Sequence, residues 1–481
     1  MTDFSTLGLR DLAMGIATGE IRAEDYANYC LSQWERTKEL VAITWIRPKQ
    51  VLDDARRIDR ARKFGGGLPL LAGIPYAVKD NIDCVGIPTT AGSQVFRNNQ
   101  PKRSARIVQE LHDQGAVLFG KTNMHELAMG GSTNNAAYGT TRNPYDHTRV
   151  PGGSSGGAGA AVSAGIVPVA LGSDTAGSVR IPAALCGVVG LRPSARNARE
   201  KVYADDGLFP VAYELDTVGP LTRTVSDLAY FDSALRRLPP ALPTHPASIR
   251  LGVPREYFFD DLQPDVAQVT QGALQALEDS GIQLVEVSIN ALIKGSINGF
   301  FGLLQMGVNV DLPEYLKKIA PLLDTTGVLA GTQGADVRDL LERTLGLGPP
   351  SQEARLSLRT DRQDLQRIYE GVLRDNGLTA LVFPTTPIEA PLVEAGGDLV
   401  DARITVGGKD FSQNAMLIRN TMIGSYLGAP GISLPIGVTT SGLPVGIELD
   451  GIWNHDSELL ALALTVESIL RFTPQPSSNG P

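Results

Sequence analysis

The stretch IVPVALGSDTAGSVRIPAALCGVVGLRPS, residues 166–194, carries two short apolar runs, IVPVALGSD and CGVVGLRPS, on either side of a small polar turn. Runs this short and this continuously apolar suit strands buried on both faces, in a sheet covered by helices. The alternation extends outward in both directions. Upstream, LAGIPYAVKDNI (71–82) reads as a strand ending at Lys79 and Asp80, and RIVQELHDQG (106–115) as a helix stopped by Gly115. AVLFGKT then follows as a further strand, and residues 6–39 form two amphipathic helices parted by Thr18, Gly19 and Glu20. Downstream, residues 248–289 give strand, helix and strand, and 294–376 are mostly helical. TALVFPTTP, ISLPIGV and LPVGIELDG return to strands, DSELLALALTVESIL is a last helix, and PQPSSNGP (474–481) is a flexible tail. No internal repeat and no long linker interrupts the series, so an α/β fold in a single domain over 1–481 is expected.

Composition narrows the function. The chain has 481 residues, 42% hydrophobic and 20% charged, an ordinary globular balance with length for a sizeable core. A formal charge of −9 without a basic run argues against nucleic acid as a partner. Cys30, Cys84 and Cys186 make no CxxC pair, which favours a reducing compartment. The first twenty residues lack an apolar signal core, and the apolar stretch 158–172 is broken by Ser163, Gly165 and Pro168. A cytoplasmic protein without membrane contact is expected.

Three motifs invite chemistry. GAVLFGKT (115–122) matches the phosphate-loop pattern, but Ala116, Val117, Leu118 and Phe119 call for a buried strand followed by a surface turn. GGSSG (152–156) matches the nucleophile-elbow pattern, yet a loop and not a strand precedes it. Neither His245 nor His455 downstream stands out as a base. His112, His125 and His147 are equally unremarkable, and no histidine pair has metal-ligand spacing. The third motif is Lys79 in AVKDN. A lysine becomes a base only when desolvation lowers its pKa from about 10.4, and the strand IPYAV would carry it inward. Asp80 or Asp83 would oppose this by pairing with it.

Taken together, GIPYAVKDNI, GKTNMHELAMG, PGGSSGG (151–157) and GSDTAGSVRIPAALCGVVGLRP resemble the amidase signature family, most strongly over residues 73–193. Lys79 lies 75 residues before Ser154, and Ser178 lies 24 after it, as the family spaces them. The resemblance implies a large mixed, twisted central sheet with helices on both faces. It implies Ser178 as nucleophile, Ser154 as a bridging serine after a cis peptide bond, and Lys79 as general base, with Ser155 in support. The backbone N–H groups of Thr175, Ala176, Gly177 and Ser178 would form an oxyanion hole. Ala128, Met129 and Gly130 would lie beside the leaving group. Neutral Lys79 would then activate Ser178 through Ser154, with no metal or cofactor.

Two departures concern the substrate. Ala176 stands where the family often has glycine, and SARNAREKVYADDG (194–207) differs from the Gly-Arg-Tyr pattern of the indoleacetamide and mandelamide hydrolase branch. The C-terminal stretches FPTTPIEAP (383–391) and 418–451 resemble that branch. The resemblance thus points to small carboxamides, aryl or arylacetamide in type, cleaved to carboxylate and ammonia or amine. Alternatives within the same chemistry are the glutaminase subunit of a tRNA-dependent amidotransferase and a carbamate, biuret or anilide hydrolase. Phe300, Phe301, Leu304, Met306, Met422 and Tyr426 are expected to contact the acyl group, and a homodimer is compatible with the sequence.

Overall fold

The two apolar runs of 166–194 fold into strands Val169–Asp174 and Val189–Arg192 of one sheet, with Thr217–Thr222 between them. This is seen in a computed structural model that describes residues 3–65, 67–393, 400 and 402–472. The expected flexible tail, 474–481, lies outside the described residues. In chain order the strands are β1 (Ile43–Ile46), β2 (Pro75–Lys79), β3 (Val117–Thr122), β4 (Val169–Asp174), β5 (Val189–Arg192), β6 (Thr217–Thr222), β7 (Arg250–Val253), β8 (Gln283–Glu286), β9 (Ala380–Pro384), β10 (Arg403–Val406), β11 (Lys409–Ser412), β12 (Gly431–Val438) and β13 (Pro444–Asp450). Eleven form one sheet in the order β1-β3-β2-β4-β6-β5-β12-β13-β9-β7-β8, while β10 and β11 make a separate hairpin. The fold is α/β, with a mixed sheet between helices. No helix among the described residues is long and apolar enough to cross a membrane.

Register sets the chemistry. β2 runs parallel to β3 and β4, pairing Val78 with Lys121 on one side and with Leu171 on the other. One residue further along β2, Lys79 comes level with Gly172, so the lysine and the end of β4 emerge at the same edge. Parallel strands deliver their C-terminal ends to one side of a sheet, where α/β proteins place their sites. All five residues of β2 are buried, as an apolar strand flanked on both sides requires.

The N-terminal helices are Leu9–Thr18, which buries Leu9, Leu12 and Ile16, and Ala23–Arg36. Gly19 closes the first in the left-handed region (φ 88°), where a side chain would be strained. Both helices join the apolar cluster that underlies β2, β4 and β5. GAVLFGKT is the buried strand anticipated, but the surface turn is absent. β3 continues through Thr122, and Lys121 is wholly buried beside Asp80 at 3.3 Å.

Candidate active site

Lys79 ends β2 with its side chain fully buried. Its Nζ lies 2.7 Å from Ser154 Oγ, 2.8 Å from Ser173 Oγ and 3.4 Å from the Ser173 carbonyl. Asp80 does not compete for it, because that carboxylate faces Lys121 and Thr90. Burial among hydroxyls therefore holds the Lys79 ammonium down to about 7 from 10.5, against the more distant pull of Asp174 and Asp216. An amine of that pKa is substantially neutral near pH 7 and free to accept a proton. Its three contacts match its valence. In the neutral state one lone pair takes the Ser154 hydroxyl hydrogen, and two N–H bonds point at the Ser173 oxygens. Asn81 Nδ2 also donates to Ser173 Oγ at 3.0 Å.

The PGGSSGG loop brings the serines to this amine. The Gly153–Ser154 peptide bond is cis. A Cβ at Gly153 would sit 2.8 Å from the backbone nitrogens of Ser132 and Thr133, so only glycine lets the loop lie against that neighbouring chain. Ser155 Oγ donates to the Ser173 carbonyl (3.2 Å) and accepts from Ser173 N–H (3.3 Å), which ties the loop to the end of β4. Its N–H also donates to the Ser178 carbonyl at 3.2 Å, which sets the backbone of Ser178 beside the cis loop. Ser178 is 7% exposed, and its hydroxyl has no hydrogen-bond partner among the described residues. The structure thus joins Lys79 to Ser154 directly, while Ser178 meets the cis loop through its carbonyl on Ser155 N–H and makes no hydrogen bond to Ser154.

A buried carboxylate shapes the turn carrying Ser178. Asp174 Oδ1 accepts from Gly177 N–H (2.8 Å), Arg180 Nη2 (3.1 Å) and Arg192 Nη1 (3.1 Å), while Oδ2 accepts from Val179 N–H (3.2 Å) and Arg180 Nε (3.0 Å). Burial would raise this carboxyl, but the two guanidinium charges outweigh it and hold it below the usual range. Arg180 is anchored in turn by Glu448 at 2.6 Å. The clamp corrects one expectation: Gly177 N–H is committed to Asp174 and does not face the site. The N–H groups of Thr175, Ala176 and Ser178 have no acceptor within the described chain. Thr175 is held by its Oγ1 on Asp216 Oδ1 at 2.6 Å. Gly177 (φ 118°) has Thr421 Oγ1 only 2.0 Å from where a Cβ would be.

On the other flank, Ala128 and Met129 are buried and Gly130 is half-buried. Sequence reasoning passed over the residues that hold them. His125 is buried, with Nε2 3.0 Å from Asp336 and Nδ1 3.4 Å from Ser132 Oγ. Its ring lies 2.3 Å from where a Gly130 Cβ would stand. Glu126 accepts from Gly334 N–H (2.6 Å) and Gln333 N–H (3.0 Å), tying the loop to the start of the helix Ala335–Gly346. Of the expected acyl contacts, Phe300, Met306, Met422 and Tyr426 share an apolar cluster against which Ala176 packs. Leu304 joins the cluster of Ala128 and Met129. Phe301 is half exposed and belongs to neither.

The family model described as Amidase matches residues 25–460. The chain belongs to the amidase family. Among its relatives, a mandelamide hydrolase of Pseudomonas putida is 36% identical over 466 residues, spanning 94% of this chain and 89% of that one. An indoleacetamide hydrolase of Allorhizobium ampelinum is 33% identical, spanning 87% and 88%. A crystal structure of an amidase superposes with a TM-score of 0.83 at 28% identity, covering 96% of this amidase and 99% of the other chain. The protein is accordingly an amidase-family enzyme, a hydrolase with the fold of its crystallised relatives.

Proposed function

We propose that this amidase hydrolyses small carboxamides with an aryl or arylacetamide-type acyl group, giving carboxylate and ammonia or amine through an acyl-enzyme on Ser178. The observation that carries the reading is the 2.7 Å contact between a buried, carboxylate-free Lys79 and Ser154. Substrate would seat its carbonyl oxygen on the free N–H groups of Thr175, Ala176 and Ser178. Developing negative charge is best met by such fixed donors, each worth about 10²–10³ in rate. Ser178 Oγ bonds to the carbonyl carbon as its proton passes to Ser154 Oγ, whose own proton passes to Lys79 Nζ. The C–N bond breaks as the proton returns along that path to the departing nitrogen. Water then repeats the sequence on the ester.

The carbonyls of Ala128, Met129 and Gly130 accept no hydrogen bond within the described chain, which suits them to an amide NH₂. The apolar clusters that meet Ala176 on one side and Ala128 and Met129 on the other favour an apolar acyl group. The two relatives named for mandelamide and indoleacetamide point the same way. Ammonia release from a panel of primary amides, anilides, carbamates and glutamine tests the reading. Mandelamide or arylacetamides should lead the panel, and Ser178→Ala should abolish turnover with the circular dichroism spectrum unchanged. Full activity of Ser178→Ala, or preference for glutamine, contradicts it.

A further inference from the structure

The segment that departs from the hydrolase branch, 194–207, forms one wall of a cavity of about 960 Å³ that neither Lys79, Ser154 nor Ser178 lines. Arg196, Arg199 and Glu200 come from that segment, Tyr213 and Glu214 from the loop before β6, Met306 and Asp311 from the end of the helix Asn290–Met306 and the turn after it. Arg359, Arg362 and Arg367 come from the helix Gln352–Asp375. Five arginines against three carboxylates make the lining net positive, in a chain whose formal charge is −9.

The pairing inside the cavity is incomplete. A single carboxylate, Glu214, serves both Arg359 (3.0 Å) and Arg362 (3.3 Å), and Arg367 is taken by Asp364. Arg196 and Arg199 have no carboxylate within 4.0 Å among the described residues. Arg196 instead lies over the Trp453 ring, its Cζ 5.3 Å from the ring centroid, and its guanidinium donates no hydrogen bond among the described residues. Asn197 Oδ1 accepts from the N–H groups of Arg199 (2.9 Å) and Glu200 (3.1 Å), so the segment is a formed turn. Free guanidinium edges held in a concave wall match the paired oxygens of carboxylate and phosphate.

We infer that this cleft binds a small anion with two or more acceptor oxygens, a carboxylate or phosphate, between Arg196, Arg199 and Arg359. The wall of the cleft is linked to the turn that carries Ser178 through Lys201 and Asp216. Lys201 of the same segment donates to the carbonyls of Tyr213 (2.9 Å) and Asp216 (2.7 Å), and the Asp216 carboxylate holds Thr175. An anion that draws in the segment therefore bears on the loop that positions an oxyanion donor.

The test is calorimetric titration of the full chain with inorganic phosphate and with succinate at low ionic strength, against chloride at matched concentration. The wild type should bind at least one of the two saturably. Arg196→Gln/Arg199→Gln should weaken that binding by about a hundredfold or more, since two charge-assisted contacts are lost together. Without added anion, its hydrolysis of a neutral primary amide should match the wild type. Kinetics then separate two sources of the anion. Competition with a neutral amide marks the cleft as the seat of a carboxylate on the substrate, and inhibition or activation without competition marks it as the seat of a free anion. Absence of saturable heat with both anions, or undiminished affinity in the double variant, overturns the inference.

Discussion

Two buried lysines lie on adjacent parallel strands, and they face opposite fates. Lys79 ends β2 and Lys121 sits near the end of β3, each with its side chain out of water. Lys121 has a carboxylate, Asp80, at 3.3 Å, and the Ile82 carbonyl at 2.5 Å. Lys79 has hydroxyls and a carbonyl only. Burial alone therefore does not decide whether a lysine keeps a counter-charge. What separates the two is the direction of Asp80, which follows Lys79 in sequence yet turns to the neighbouring strand and leaves Lys79 without a counter-charge.

The comparison breaks most severely if the unpaired amine is removed. Lys79→Ala should lower kcat/KM by about 10³-fold or more, as loss of a catalytic base does in related serine mechanisms. Steady-state kinetics with a neutral aryl amide measures this, and a loss under tenfold would deny Lys79 the role. The next perturbation gives Lys79 the partner that Lys121 already has. Ser173 Oγ is 2.8 Å from Nζ, so Ser173→Asp places a carboxylate against the amine. The ammonium should then persist to higher pH, moving the rise of kcat/KM upward by about one unit or more, with a fall of about tenfold at neutral pH. A rise at the wild-type pH would mean that the carboxylate does not reach the base.

Lys79, Ser154 and Ser178 stood out as candidates because their motifs are short, ordered and separately unusual, and the structure brings Lys79 and Ser154 into contact. Their support was not. Ser173 acts on Lys79 from the next strand, and only the β2–β4 register brings them together. His125 looked ordinary because its partner, Asp336, lies more than two hundred residues away. The strand β6, TVGPLT, was hidden by Gly219 and Pro220, which argue against a central strand, although Pro220 sits opposite Leu171 inside the sheet. The helix Gly156–Ser163 has three glycines and is buried almost throughout, so neither propensity nor an amphipathic stripe announced it. The α/β alternation itself was plain, since most strands are continuous apolar runs.

The smallest catalytic effect should come from the paired lysine. Lys121→Met leaves Asp80 buried without its counter-ion, which costs about 3–5 kcal/mol when one partner of such a pair is removed. Chemical denaturation should show that loss of stability. The protein that remains folded should keep the wild-type pH dependence, and a displaced profile would show that Lys121 also governs the base.

Whether Lys79 is neutral when the enzyme works is read from the pH dependence of kcat/KM on a substrate that does not itself ionise. The base works only unprotonated, so the rate must rise with pH as the proton leaves. A single rise through about 7 to a plateau is expected. A flat profile, or a rise deferred to the ordinary lysine value of 10.5, would contradict it.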